Sequence, residues 1–355
     1  RQNKDLRNTL KKLACAGGTK SFSPSRSCVP SIEWHPVQGS KAISVYFDPK
    51  DFGLILDLAD GLSLSESANK EIKKYYRELT VAEEATKNTD AYKAENLSSM
   101  AKGEPFQFVE STSRGDFELL SKQREALAWL DANEGSGVCA LETGVGKTLT
   151  AIGGMMKMVR DGWLNDDAGY TRPDGREVKT NGRFLYVCPK SLVGNMPKEI
   201  EAFVKGKGGG LINRVDCLPY SNFSGASRSG KIPAALVKQH PEYWGPLKEQ
   251  EKAESRGRRA ATKKHWNPEE YIQIYFDEAH ELKNPTTQRS QAALKLYHPR
   301  KICLTASPME KNPMEAYVLA AISNNTPLFG RTDEAKANRK TMSRFKARFC
   351  NNIGG

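Results

Sequence analysis

No run of about 18 apolar residues occurs anywhere in the sequence, and the N-terminal text lacks the apolar stretch of a secretion signal. A membrane-spanning helix and a signal peptide are thereby excluded from the text, and the expectation is a soluble intracellular protein, cytoplasmic, nucleoid-associated or nuclear. Histidine is scarce, at 5 residues, and unclustered; the 7 cysteines, at 15, 28, 139, 188, 217, 303 and 350, form no C-x-x-C pair. Structural zinc is disfavoured, and an odd set of scattered thiols suits a reducing compartment. Acidic residues are also short, 42 against 54 Lys plus Arg, which leaves a formal charge of +12. That surplus favours polyanionic partners, nucleic acid first among them, and is equally compatible with an ordinary basic protein. No internal repeat is visible.

What is present is a globular composition: 38% apolar and 27% charged residues over 355 positions. Single cores rarely grow beyond about 250–300 residues, so one large unit with a smaller appendage is expected. Residues 1–30 are basic and punctuated by Ser and Gly, with one possible helix over Lys4–Leu13, and read as a flexible lead. Residues 31–96 read as a small α/β accessory unit. Strand-like alternation at Ala42–Phe47 and an apolar run at Phe52–Leu58 precede a charged helix over Ser63–Thr86, capped by Ser65. Residues 97–115, rich in Lys, Glu, Ser and Gly, read as a linker.

From residue 116 to 330, apolar strands alternate with amphipathic helices, the pattern of a parallel sheet covered on both faces. Strands are predicted at Gly137–Leu141, Phe184–Cys188, Arg214–Leu218, Tyr271–Phe276 and Lys301–Thr305. Most carry a motif at the C-terminal end, where open α/β sheets bind ligands.

The strongest motif is Glu142-Thr143-Gly144-Val145-Gly146-Lys147-Thr148, directly after a short strand and before a helix. Its glycines let backbone N–H groups curl around phosphate oxygens, and the helix N-terminus adds partial positive charge. Thr143, Gly144, Val145 and Gly146 would form the cradle, Lys147 would neutralise phosphates, and Thr148 would bind Mg²⁺ through its hydroxyl. Leu141 stands where the strict pattern has its first glycine. A second motif, Ile274-Tyr275-Phe276-Asp277-Glu278-Ala279-His280, is an apolar strand ending in adjacent carboxylates. Asp277 suits a hydrated Mg²⁺, and Glu278 suits the deprotonation of an attacking water.

The P-loop, then Asp277–His280, then Leu304-Thr305-Ala306-Ser307-Pro308, in that order, resembles the motif set of superfamily 2 helicase-like ATPases. Val187-Cys188-Pro189-Lys190-Ser191-Leu192, Lys283-Asn284-Pro285, and Asn312-Pro313 with Glu315-Ala316-Tyr317 resemble the Swi/Snf branch. The resemblance runs from Phe117 to Tyr317 and implies a RecA-like ATP-binding lobe, with an insertion at about 224–268. It implies ATP and Mg²⁺ as ligands, duplex DNA as partner, and translocation as the activity of the parent protein. Under it, Gln123 reads the adenine edge. Pro189, Lys190 and Ser191 touch the nucleic-acid backbone, Thr305 and Ser307 couple nucleotide state to the track, and His280 links the ATP site to Thr305.

The insertion carries Arg256, Arg258, Arg259, Lys263 and Lys264 beside His265 and Trp266, interleaved upstream with Glu249, Glu251 and Glu254. It reads as a solvated helical insertion or as a nucleic-acid contact with an aromatic anchor. The family's second lobe supplies arginines to the γ phosphate, and too little text follows Tyr317 to build one. Residues 331–355 read as a basic helical segment leading towards that lobe. The expectation is a piece of a longer motor, able to bind ATP but slow to hydrolyse it alone. Two other settings fit the same text: the motor of a phage, restriction or antirestriction helicase protein, and a catalytically idle binding platform.

Overall fold

The computed structural model describes residues 89–328, except 114, 207, 256–264 and 311–312, together with strands in the first fifty residues and scattered helical positions at 70–87 and 333–342. The chain divides into two compact units, Arg1–Glu83 and Glu84–Gly355. In the first, strands Ala14–Ala16, Val29–Pro36 and Ile43–Tyr46 form a sheet in chain order, its first pair parallel and its second antiparallel. The strand expected at Ala42–Phe47 is therefore present, and the described positions between 70 and 87 are helical. The helix expected at Lys4–Leu13 and the apolar run at Phe52–Leu58 lie outside the described residues, as does the capping residue Ser65.

The second unit is built on five parallel strands: β1 (Gly137–Ala140), β2 (Phe184–Cys188), β3 (Val215–Pro219), β4 (Gln273–Phe276) and β5 (Lys301–Thr305). Their order across the sheet is β3-β2-β4-β5-β1. The acidic-box strand β4 is thus separated from the P-loop strand β1 by β5, and all three deliver their motifs to the same edge. Every residue of β2, β4 and β5 is buried, which is why these strands read as largely apolar runs rather than as alternation.

Alternation reappears one level up, in the two cores. Tyr186, Tyr275, Ile302 and Leu304 face a cluster with α1 (Ser121–Ala132) and α2 (Lys147–Arg160), through Leu127, Ile152, Met155 and Met156. Leu185, Val187, Ile274, Phe276 and Cys303 face the opposite cluster, with Phe223, Val318, Leu319 and Ile322. Those four belong to α4 (Tyr220–Ser229) and α8 (Pro313–Ser323), while α3 (Asn195–Phe203) follows β2 and α7 (Gln288–Lys295) precedes β5. The period-2 pleat sends neighbours to opposite faces, so a sheet with helices on both sides needs both sets apolar. The RecA-like α/β lobe expected from the sequence is the observed architecture.

Residues 97–115 are no linker. Leu97 and Phe106 are fully buried and Phe108 nearly so, all within the first cluster, and strands Ser99–Ala101 and Glu104–Phe106 pair as a hairpin. The polar composition concealed three widely spaced anchors that pack on the lobe. The unit boundary falls at Glu83/Glu84, ahead of the expected 96, because Tyr92, Ala94 and Leu97 already belong to the lobe's core.

The insertion is helical, as expected, with α4 followed by α5 (Ala234–Gln239) and α6 (Pro241–Ser255). Trp266 is not a nucleic-acid anchor: it is 1% exposed, packs edge-on against Phe223, and its indole N–H donates to the Tyr271 hydroxyl at 3.2 Å. The run from Arg256 to Lys264 lies outside the described residues. A buried polar knot ties the insertion to the sheet. Arg183 Nε donates to Asp216 Oδ2 at 3.0 Å, and Trp244 Nε1 on α6 donates to the same carboxylate at 3.1 Å. Tyr271 Oη adds a third donor at 2.7 Å. In the basic segment, the described positions 333, 335, 336, 338, 339 and 342 are helical, and Asn338 Nδ2 donates to the Pro327 carbonyl.

Candidate active site

The loop after β1 turns twice through left-handed backbone. Gly144 has φ +87° and Gly146 has φ +85°, a region L side chains rarely adopt. At Gly144 an added Cβ would meet nothing within 4 Å, so the loop is open to a ligand there. At Gly146 it would meet Gln123 Nε2 at 2.5 Å. Gly146 caps α2, whose first residue is Lys147, and the loop therefore ends on the unpaired N–H groups of a helix start.

Lys147 is 9% exposed, and its Nζ stands 3.6 Å from Glu278 Oε1. One P-loop cation and one acidic-box carboxylate are thereby brought together from segments far apart in sequence. Glu278 is a non-glycine residue at φ +48°, in the left-handed region. Such a conformation costs about 1–3 kcal/mol and persists where surrounding structure dictates it. Here the Glu278 N–H donates to the neighbouring Asp277 Oδ1 at 2.9 Å, and the Glu278 side chain faces Lys147. Strain at a carboxylate facing a buried lysine has the character of a functional site.

Asp277 is 6% exposed at the tip of β4. Its N–H continues the ladder to the Val187 carbonyl, and the Tyr220 hydroxyl donates to its own carbonyl at 2.8 Å. Burial raises the pKa of its carboxyl; the nearby Tyr186 hydroxyl, the Glu278 N–H and the charge of Lys147 act in the opposite direction. His280 Nδ1 approaches Glu278 Oε2 at 3.1 Å without good hydrogen-bond geometry. No hydrogen bond joins it to Thr305, and the carboxylate it approaches is that of Glu278.

Gln123 is buried at 1% exposure, and its amide is committed to the protein on both sides. Nε2 donates to the Val145 carbonyl at 2.7 Å, while Oε1 accepts from Leu120 N at 2.9 Å. It braces the P-loop from behind. The expectation of an adenine-reading amide requires this side chain to leave those partners.

Thr305 is fully buried, and its Oγ1 accepts from the Ser307 N–H at 3.1 Å. Ser307 Oγ in turn donates to Glu310 at 2.6 Å. Beyond β2, Lys190 and Ser191 are exposed on the short turn Lys190–Leu192, behind a half-buried Pro189. Thr143, Gly144, Val145, Lys147 and Thr148 all lie on the one segment Glu142–Thr148, at the edge where β4 and β5 also end.

Three participants escaped the sequence reading. Tyr186 and Tyr220 reach the acidic box from β2 and α4; their only signal was a hydroxyl-bearing residue in apolar text. Glu310, which connects Ser307 to Lys283, lay in a loop without periodicity. Among the described residues, no three His, Cys, Asp or Glu side chains converge as a metal centre. Cys139, Cys188, Cys217 and Cys303 are buried free thiols, three of them pushed up to about 12 by burial.

The SNF2-related domain family matches residues 256–333. A transcriptional regulator ATRX homolog of Caenorhabditis elegans is 26% identical over 217 residues, covering 55% of this chain; the chain spans only 15% of that relative. The solved Sulfolobus solfataricus SWI2/SNF2 ATPase core in complex with dsDNA aligns at 18% identity with a TM-score of 0.38, over 65% of this chain and 42% of that one. The domain match spans the acidic box, the Lys283–Pro285 extension and the Leu304–Pro308 block, part of the stretch over which the sequence resembles the Swi/Snf branch, so this segment is similar to the SNF2-related domain; the P-loop and the Val187–Leu192 block lie outside the match.

Proposed function

We propose that this lobe binds ATP with Mg²⁺ at the P-loop and forms part of a motor that moves along duplex DNA. The observation that carries the reading is the approach of Lys147 Nζ to Glu278 Oε1 at 3.6 Å beneath an open glycine loop. A polyphosphate entering that loop meets the N–H groups at the start of α2 and competes with Glu278 for the Lys147 ammonium. Lys147 then neutralises phosphate charge, and Glu278 is released to orient and deprotonate the attacking water. Gln123 holds the loop in shape through Val145.

The oxygen donors Thr148 and Asp277 fit a hard divalent cation, and the buried Tyr186 hydroxyl, without a hydrogen-bond partner, lies beside both. The cation would supply charge neutralisation at the phosphates. Asp277, desolvated at the strand tip, is a carboxylate that gains from a cation.

Towards the track, Lys190 and Ser191 present a cation and a hydroxyl suited to phosphate contacts without sequence information. Thr305 and Ser307 connect through Glu310 to Lys283, so a chain of polar contacts joins the β5 loop to the segment that follows the acidic box. A second RecA-like lobe is the proposed partner that supplies arginines to the γ phosphate. The DNA reading is tested by anisotropy titration of a labelled duplex over a salt series. Lys190→Ala is expected to weaken binding and to reduce the salt slope by about one unit. An unchanged affinity and slope would remove Lys190 from the track.

A further inference from the structure

Tyr186 sits in the middle of β2, paired in register with Cys217 on one side and Tyr275 on the other, and is 1% exposed. Its ring packs on Tyr275 with centroids 6.3 Å apart. Its hydroxyl is buried and has no hydrogen-bond partner of acceptable geometry. Buried hydroxyls are nearly always satisfied, and a phenylalanine would fill the same space without leaving an oxygen dry. The groups that face the hydroxyl are Asp277, which it approaches as a donor, and Thr148, which it approaches as an acceptor. Cys188 is the remaining polar neighbour, and its thiol is held neutral by burial. The orphaned oxygen therefore lies beside both side chains assigned to the metal.

We propose that Tyr186 is a positioning residue for the metal side of the nucleotide site, its hydroxyl holding the Asp277 carboxylate and the water shell of a divalent cation that arrives with the nucleotide. The proposal rests on the reading of Thr148 and Asp277 as the cation's oxygen donors. Magnesium retains most of its water on binding, so a site for it needs hydrogen-bonding groups just beyond its direct ligands, and such outer groups matter nearly as much as the ligands themselves. Tyr186 supplies one that no motif of the sequence designates, from a strand whose other residues are apolar or sulfur-bearing.

The test is Tyr186→Phe, which removes one oxygen and keeps the ring against Tyr275. Affinity for a fluorescent ATP analogue is measured across a Mg²⁺ titration and again in excess chelator, with Lys147→Ala as the control for the site itself. In the phenylalanine variant, the Mg²⁺ concentration for half-maximal enhancement should rise about ten- to a hundredfold, the worth of one hydrogen bond to a charged group, while chelator affinity and the melting temperature without nucleotide are unchanged. A Mg²⁺ response identical to wild type would overturn the inference and, if Lys147→Ala still weakens binding, would leave the nucleotide site standing. Nucleotide binding unaffected by Lys147→Ala would overturn both.

Discussion

Lys283 Nζ lies 3.2 Å from Glu315 Oε2, joining the segment after the acidic box to the first turn of α8. The same ammonium is 3.2 Å from Glu310 Oε1, and the Glu310 N–H donates to Glu315 Oε2 at 2.8 Å. Lys283 is 9% exposed, so this is a largely desolvated cation shared by two carboxylates, and it pins the loop that carries Ser307. Lys283→Met should lower unfolding stability by about 1–3 kcal/mol, less than a fully buried pair because Glu310 is open to solvent. Limited proteolysis should cut the loop between Ser307 and Pro313 faster than in wild type. An unchanged urea midpoint together with an unchanged cleavage rate would remove the pinning role.

A stronger effect is expected at Asp216. Its carboxylate is fully buried and accepts from Arg183, Trp244 and Tyr271, while the Arg183 guanidinium also stacks on the Tyr243 ring at 4.5 Å. Asp216→Ala leaves a buried guanidinium uncompensated and should cost about 3–5 kcal/mol in urea unfolding. Trp244 lies in the knot, so its fluorescence should shift as α6 loosens. A loss below about 1 kcal/mol would mean the insertion is held by its apolar contacts alone.

At Gly146, φ +85° and the 2.5 Å approach of Gln123 Nε2 act together. Gly146→Ala should cost about 1–3 kcal/mol in stability and should weaken nucleotide binding, because the loop must deform. Adding Gln123→Ala removes the clash and leaves the dihedral strain, so the double variant should recover only part of the loss. Full recovery would assign the whole effect to the clash.

Acid stability tests the floor of the sheet. His298 is wholly buried; its Nε2 donates to the Tyr271 carbonyl at 2.8 Å, and Nδ1 accepts from Arg300 N at 3.1 Å. Burial lowers its pKa from 6.5 to about 3. Between those values the unfolded chain binds a proton that the folded chain refuses, so stability falls as pH drops through that window, by about 1.4 kcal/mol per unit for this one group. Above pH 6.5 the group contributes no slope. Lys301, buried and donating to the Leu296 carbonyl at 2.7 Å, is lowered from 10.5 to about 7 and makes stability rise with pH across that higher window. Urea unfolding from pH 4 to 6 should show a slope that His298→Gln reduces by one proton; an identical slope in the variant would contradict the assignment.

Much of the lobe was legible because its signals are local. Strands β2 and β5 sit where largely apolar text places them, and the P-loop and acidic box announce themselves by residue type at fixed spacing. The sheet order was not written in any segment, since it depends on which strands pair across long crossovers. Phe106 and Phe108 were hidden by polar neighbours, so a packed hairpin read as a linker. Trp266 beside a basic run resembled a nucleic-acid anchor, and only the tertiary position of Phe223 and Tyr271 shows it to be core. Within the site, Lys147 and Glu278 were each foreseen separately. Their approach, the left-handed backbone at Glu278 and the dry Tyr186 hydroxyl follow from tertiary packing that no local pattern encodes.

The most direct test of the central claim is nucleotide affinity of the wild-type chain against Lys147→Ala, measured by titration with a fluorescent ATP analogue in the presence of Mg²⁺. The ammonium that faces Glu278 should be worth one or two charge-assisted hydrogen bonds to phosphate, so the variant should lose about ten- to a hundredfold in affinity with its melting temperature preserved. Equal affinity in the two proteins, or none in the wild type, would contradict a P-loop nucleotide site in this lobe.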